Sequence, residues 1–340
     1  MEKVVNQAFV TFCTNDAYAV GALVLGHSLQ QVNTSRSLVC LITAGVSMHM
    51  RSCLSLKFDI VREVDLLSSG DDAHLSVLER PELSVTFTKL QCWRLIQFNK
   101  CVFLDADIMV LQNCDELFEK EELSAVADVG WPDCFNSGVF VFKPSEETYK
   151  KLVQLANEKG SFDGGDQGLL NTYFSNWAIK DIHCHLSFIY NMNANAMYTY
   201  MPAYKQFGKN VKIVHFLGSI KPWMHSYNEE TKNIKYDSDS SCMREHLDRW
   251  WQIFITDIQP LIEKKKEEVV EFGSLEEKLS NITINTICEE QTFQDNVTSK
   301  KPYSRQYAWE QGQIDYLGID AYENIEKKLD AAIKGDVFDT

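Results

Sequence analysis

The stretch Phe103-Leu104-Asp105-Ala106-Asp107 ends an apolar run with two carboxylates at positions i and i+2. On an extended backbone such residues point to the same side. At the end of a buried strand they suit a hard divalent ion that can bridge a diphosphate. An Asp-x-Asp tripeptide is a weak signal by itself, and the apolar strand before it gives it weight. His215 lies in a second strand-like run, Lys212-Ile213-Val214-His215-Phe216-Leu217-Gly218. A lone histidine in a strand is more often a hydrogen-bonded core residue. As a third ligand beside two carboxylates, its nitrogen favours Mn²⁺ over Ca²⁺ or Mg²⁺. Gly218 lets backbone approach a phosphate, and Lys221 follows with a cation, although simple surface charge also accounts for that lysine.

Two further clusters carry polar groups suited to a sugar. Asn136-Ser137-Gly138 opens an apolar run, Val139 to Phe142, and reads either as an ordinary turn or as part of the same crevice. In Phe162-Asp163-Gly164-Gly165-Asp166-Gln167-Gly168, two aspartates flank a glycine pair that lets backbone come close to a ligand. Gln167 adds an amide for hydroxyl groups. Asp166 also fits as a helix N-cap.

The elements around these residues alternate. Phe9 to Phe12 reads as a strand, Tyr18 to Leu29 as an amphipathic helix started at Thr14-Asn15-Asp16, and Ser37 to Thr43 as a second strand. Helix is expected around Met48 to Leu54 and again from Leu83 to Phe98, with strands at Phe58 to Val64 and Cys101 to Leu104. Continuous rather than alternating apolar runs fit strands covered on both faces. The expected fold class is therefore α/β, with a nucleotide-binding half of the doubly wound kind and ligands at the strand ends.

Composition narrows the function. The chain has 340 residues, 45% of them apolar, enough for a substantial core. A net charge of −15 argues against a nucleic-acid partner. No apolar run approaches the ~20 residues that span a bilayer, and the first residues do not resemble a secretory signal. Ten scattered cysteines without a paired framework read as reduced thiols of a cytoplasmic protein. From Glu263 to about Lys301 the sequence turns polar and aperiodic after a Lys264-Lys265-Lys266-Glu267-Glu268 charge run, and reads as a linker. Pattern returns at 302–333, with Trp309, Tyr316 and Leu317 and an amphipathic stretch from Ala321 to Ile333. Some thirty residues cannot bury a core of their own, so an aromatic segment on a tether reads as a docking peptide. Residues 334–340 have no assigned role.

Taken together, Thr14-Asn15-Asp16-x-Tyr18, Phe103 to Asp107, Asn136 to Phe140, Phe162 to Gly168 and His215 to Gly218 with Lys221-Pro222-Trp223 resemble the glycogenin group over about residues 6–262. Trp309-Glu310-x-Gly312-x-Ile314-Asp315-Tyr316-x-Gly318 is similar to that group's C-terminal tail, which binds glycogen synthase. The resemblance implies a catalytic domain at 1–262 with a single Rossmann-like, GT-A type fold and a mixed central sheet. It implies a retaining, self-glucosylating, Mn²⁺-dependent transferase using UDP-glucose, with Mg²⁺ a weaker substitute. Phe12, Thr14, Asn15, Tyr18 and Val85 would then hold uridine, and Arg80 and Lys221 would offset diphosphate charge. Asp105, Ala106, Asp107, His215 and Gly218 would surround the metal and phosphates, the two aspartates and His215 as ligands. Lys89, Asn136, Ser137, Asp163, Asp166 and Gln167 would line the sugar, and Tyr198 would be the self-glucosylated acceptor. The tail, through Trp309, Tyr316, Leu317 and Gly318, would bind glycogen synthase, and the chain would form a homodimer carrying a growing glucan.

Overall fold

The computed structural model describes residues 3–67, 81–194, 201–228, 233–234 and 241–265. The chain divides into two units, Met1–Glu277 and Lys278–Thr340, and every described residue lies in the first. In chain order the elements that matter are β1 (Val4–Cys13), α1 (Asp16–Gln31), β2 (Arg36–Ile42), α2 (Met48–Leu54) and β3 (Ile60–Glu63). A 3₁₀ helix at Pro81–Arg94 follows, then β4 (Lys100–Leu104), β5 (Ile108–Val110), β6 (Ser124–Ala127) and β7 (Phe135–Phe142). The rest are α3 (Glu146–Lys159), α4 (Asp166–Tyr173), β8 (Met192–Asn193), α5 (Met201–Phe207), β9 (Ile213–His215) and α6 (Ser241–Ile253).

Six strands form one mixed sheet in the order β3-β2-β1-β4-β7-β6. The strands from β3 to β4 run parallel, whereas β7 and β6 are antiparallel to their neighbours. All eight residues of β7 are buried, as are the last six of β2 and the last four of β4. This is why their sequences lack an in–out alternation. A smaller sheet, β5-β9-β8, has β9 at its centre.

Several expected elements differ in detail. The run from Tyr18 to Leu29 forms α1, but Ala19, Gly21 to Gly26, Ser28 and Leu29 are all buried, so the helix is covered on most of its surface rather than amphipathic. The expected helix from Leu83 to Phe98 is instead the 3₁₀ run that ends at Arg94. Its threefold repeat eclipses residues i and i+3, which puts Thr86 and Lys89 on one line toward the cleft described below. Asn136-Ser137-Gly138 lies inside β7 rather than ahead of it. Asp166 is the first residue of α4, whose N-cap position belongs to Gly165.

Gly21 is where α1 meets the strand ends. A Cβ there would lie 2.5 Å from the Ala106 carbonyl and 2.4 Å from the Trp223 ring. A backbone oxygen cannot move aside as a flexible side chain does, so Gly21→Ala should cost about 1–3 kcal/mol by overpacking. A thermal melt checks this, with a clear fall in Tm expected.

Candidate active site

The C-terminal ends of β1 and β4 open into a cleft of about 720 Å³. β4 carries the chain to Asp105, whose N–H donates to the Gly138 carbonyl at 3.0 Å, because Leu104 pairs with Val139 of β7. Two residues on, Asp107 precedes β5, and its carbonyl accepts the Phe216 N–H at 2.9 Å. Ile108 pairs with His215, so the end of β9 is held against the second aspartate. A glycine at 138 is what lets His215 fit, since a Cβ there would lie 2.2 Å from its Cε1.

Asp105, Asp107 and His215 thus converge, with one ligand atom from each lying within 4.8 Å of the others. His215 Nε2 is 3.3 Å from Asp107 Oδ1 and 3.9 Å from Asp105 Oδ2. Two carboxylate oxygens and one imidazole nitrogen fit a borderline divalent ion such as Mn²⁺. Asp107 and His215 are buried, while the Asp105 side chain keeps 24% of its exposure and marks the open side.

Each aspartate also has a lysine. Lys89 Nζ lies 2.9 Å from Asp105 Oδ1 and 2.7 Å from Asp166 Oδ2, and 4.9 Å above the Phe103 ring. Burial works against its charge, but Asp105 and Asp166 outweigh burial and push its pKa above the ordinary lysine value. Lys221 Nζ donates to Asp107 Oδ2 and, at 3.4 Å, to the Phe216 carbonyl. Burial alone would raise the Asp107 pKa, yet Lys221 and His215 hold it well below the usual carboxylate range. The Asp105 pKa is instead raised, by burial first and by neighbouring Asp107 and Asp166, with Lys89 opposing.

The remaining expected residues lie around this centre. Phe12, Thr14, Asn15 and Tyr18 line the cleft, as do Ala106, Gly218 and Lys221. Asn15 spends its side-chain oxygen on capping α1, accepting the Tyr18 N–H at 3.1 Å, so its amide N–H₂ is what it can offer a ligand. Tyr18 meets Trp223 edge-on, with centroids 5.3 Å apart. Gly218 has φ of 107°, a conformation that favours glycine. Lys89, Asn136, Ser137, Asp163, Asp166 and Gln167 also line the cleft. Asp163 Oδ1 accepts from Ser161 Oγ and from the N–H groups of Gly165 and Gly168, which closes the glycine loop. Burial pushes the Asp163 pKa up, and the Ser161 hydroxyl partly offsets that. Arg80 and Tyr198 lie outside the described residues, as do the tail residues Trp309, Tyr316, Leu317 and Gly318, and Val85 is described as backbone alone.

Sequence reading passed over Thr86, Asp128 and Asn191. Thr86 Oγ1 accepts the Asp166 N–H at 3.1 Å. Asp128 follows the apolar strand β6 as Asp105 follows β4, so the same strand-end signal was present. Asn191 directly precedes β8 and reaches His215, a contact that no local pattern announces.

Asp107 gives a prediction in pH. Its depressed pKa stabilises the fold above the unfolded-state value near ~4 and loses that contribution as pH falls through the lower folded value. Asp107→Asn should therefore lower stability at neutral pH, by about 3 kcal/mol or more, because it leaves the Lys221 charge buried without its partner. Denaturant melts from pH 7 downward should show the gap to the unaltered protein narrowing below pH ~4. A constant gap would contradict the ion-pair account.

Glycosyl transferase family 8 matches residues 9–226, a span that contains every described residue of the cleft. The chain is 51% identical over 334 residues to Glycogenin-1 of Oryctolagus cuniculus, covering 97% of this chain and 99% of that protein. It is 55% identical over 261 residues to Glycogenin-2 of Homo sapiens, covering 76% of this chain and 52% of the relative. Among solved structures, the bifunctional glycosyltransferase WbbM shares the fold at a TM-score of 0.51 and 17% identity, over 76% of this chain and 51% of that one. Among the described residues no helix is long and apolar enough to cross a membrane. With the aspartate pair, the histidine and the polar cleft all inside the matched span, the chain belongs to the glycogenins, within glycosyl transferase family 8.

Proposed function

We propose that this chain transfers glucose from UDP-glucose to its own Tyr198 and then extends an α-1,4-glucan on that primer, with retention at the anomeric carbon. The observation that carries the reading is the convergence of Asp105, Asp107 and His215 in a cleft lined by both aromatic rings and side-chain amides. A nucleotide-sugar has parts that suit such a lining: a flat base, a doubly charged diphosphate and a polyol. Phe12 and Tyr18 would pack against uracil, and the Asn15 amide would donate to it. Asn136, Asp163 and Gln167 would meet glucose hydroxyls.

Bound at the Asp-x-Asp and histidine, Mn²⁺ would supply charge stabilisation for the departing diphosphate. Lys221 is the protein cation beside that position, with its buried Nζ next to Asp107. Lys89 ties Asp105, the proposed ligand, to Asp166 on the sugar side, so one cation sets the spacing between leaving group and glucose. The acceptor in the first round is the Tyr198 hydroxyl: the C1–O bond to UDP breaks, a C1–O bond to the acceptor forms with the configuration kept, and the hydroxyl proton leaves with UDP; in later rounds the acceptor is a glucose 4-hydroxyl. For the tail, identity that covers 97% of the chain supports a docking role of residues 302–333 toward glycogen synthase. The intervening linker would keep that enzyme at raised effective concentration near the primer.

Intact-mass spectrometry after incubation with UDP-glucose and Mn²⁺ should show a ladder of hexose additions. Tyr198→Phe should stay hexose-free yet still glucosylate an added maltoside, because the donor site is untouched. Asp105→Asn should neither acquire hexose nor glucosylate the maltoside. Hexose on the Tyr198→Phe protein would overturn the acceptor assignment. Transfer to the maltoside alone, with no ladder on the unaltered chain, would select a transferase for a separate acceptor.

Deleting 302–340 should leave the ladder unchanged and abolish co-purification with glycogen synthase. The double change Tyr316→Ala and Leu317→Ala should weaken that binding at least ~10-fold, since aromatic anchors carry about 2 kcal/mol or more each. Full retention of the synthase by the truncated chain would sink the docking role.

A further inference from the structure

Behind His215 lies a chain of side-chain amides that runs from the metal site to Gln167. His215 Nδ1 is 2.9 Å from Asn191 Oδ1. Asn191 Nδ2 donates to Asn136 Oδ1 at 2.8 Å, and Asn136 Nδ2 donates at 3.1 Å both to Asp128 Oδ2 and to Gln167 Oε1. Gln167 Nε2 also donates to Asp128 Oδ2, at 3.1 Å. An amide can be turned end for end, so its direction must be fixed by a neighbour that only donates or only accepts. Three such neighbours are present. The Asp128 carboxylate only accepts. The Ser137 N–H donates to Gln167 Oε1 at 3.1 Å and the Gly138 N–H to Asn136 Oδ1 at 3.0 Å.

These fixed groups orient Asn136 and Gln167 with their N–H₂ ends toward Asp128. Asn136 Oδ1 is then an acceptor, Asn191 must point its N–H₂ at it, and Asn191 Oδ1 is left facing the His215 ring. We propose that Asn191 is a positioning residue that keeps the proton of His215 on Nδ1. The Asn136, Gln167 and Asp128 network fixes its direction, so that Nε2 presents a lone pair to the divalent cation between Asp105 and Asp107. The inference rests on the metal reading above. Asn191, Asn136 and His215 are all buried, which shields the relay from competing water. Partners that hold the second nitrogen of a ligating histidine commonly set ten- to a hundredfold of metal affinity.

Two measurements on the whole chain separate this inference from the reading it rests on. Electron paramagnetic resonance titration with Mn²⁺ alone first establishes binding to the unaltered protein; no binding there refutes the metal reading itself. Asn191→Leu, which removes both acceptor and donor, should then weaken Mn²⁺ binding at least ~10-fold. Asn191→Asp, which keeps the acceptor for Nδ1–H, should recover binding relative to Asn191→Leu. Mn²⁺ binding by Asn191→Leu within twofold of the unaltered chain would overturn the relay and leave the metal site standing. Because a buried substitution can impair folding, ¹⁵N-edited imidazole NMR of the unaltered chain saturated with Mg²⁺, which is diamagnetic, gives an independent answer. His215 should carry its proton on Nδ1, and a neutral ring protonated on Nε2 refutes the proposal.

Discussion

Two aspartates two positions apart, at the mouth of a buried sheet, would repel each other and shed their charge unless each had a cation within reach. The structure meets that constraint with separate cations, Lys89 for Asp105 and Lys221 for Asp107, with the His215 ring beside Asp107. Much of the surrounding architecture follows from delivering those partners. Lys89 comes from a 3₁₀ run on one side of the sheet, Lys221 from the loop after β9, and His215 from β9 itself. The balance is uneven. Asp107 is held firmly ionised, while Asp105, also close to Asp166, is raised and is the more open of the two. The pair therefore joins one firmly charged carboxylate to one that is more open and more easily protonated.

Strand pairing places these groups more finely than side-chain packing could. Leu104 opposite Val139 sets Asp105 beside Gly138, and Ile108 opposite His215 sets Asp107 beside the imidazole. Shifting either pairing by one residue would turn the ligand to the opposite face. Behind the sheet, Phe103, Phe140 and Trp93 stack at centroid distances of 5.1 and 5.4 Å and form a stiff aromatic floor beneath Lys89. Above that floor the lysine reaches its two carboxylates and the Ser137 carbonyl, at 3.3 Å.

Much of this was legible in the residues. α2 lies at Met48–Leu54 as its pattern indicated, and the strands at the start of the chain and before Asp105 are where continuous apolar runs put them. The aspartate pair stood out because it ends an apolar run, whereas His215 joined it through the resemblance, and the structure brings the three together. What escaped reading depends on long-range contact. The 81–94 run has an apolar content that suits either helix type, and its 3₁₀ form places Thr86 and Lys89 together on the cleft side. The burial of α1 on nearly all sides arises from elements that arrive later in the chain, such as α6 and the Trp223 loop. Asn191 was invisible for a similar reason: its partner is 24 residues away, across the small sheet.

That small sheet has a kinetic consequence. β9 sits between β5, roughly a hundred residues upstream, and β8, which precedes it by some twenty, so His215 cannot be placed until both neighbours are present. Loops of that length close slowly, because their entropy must be lost before any contact rewards it. The six-stranded sheet, whose strands lie within residues 4–142, can pair first. On a ribosome the catalytic centre would thus be among the last parts of the domain to form, and the nascent chain would emerge folded before it could act on sugar nucleotides.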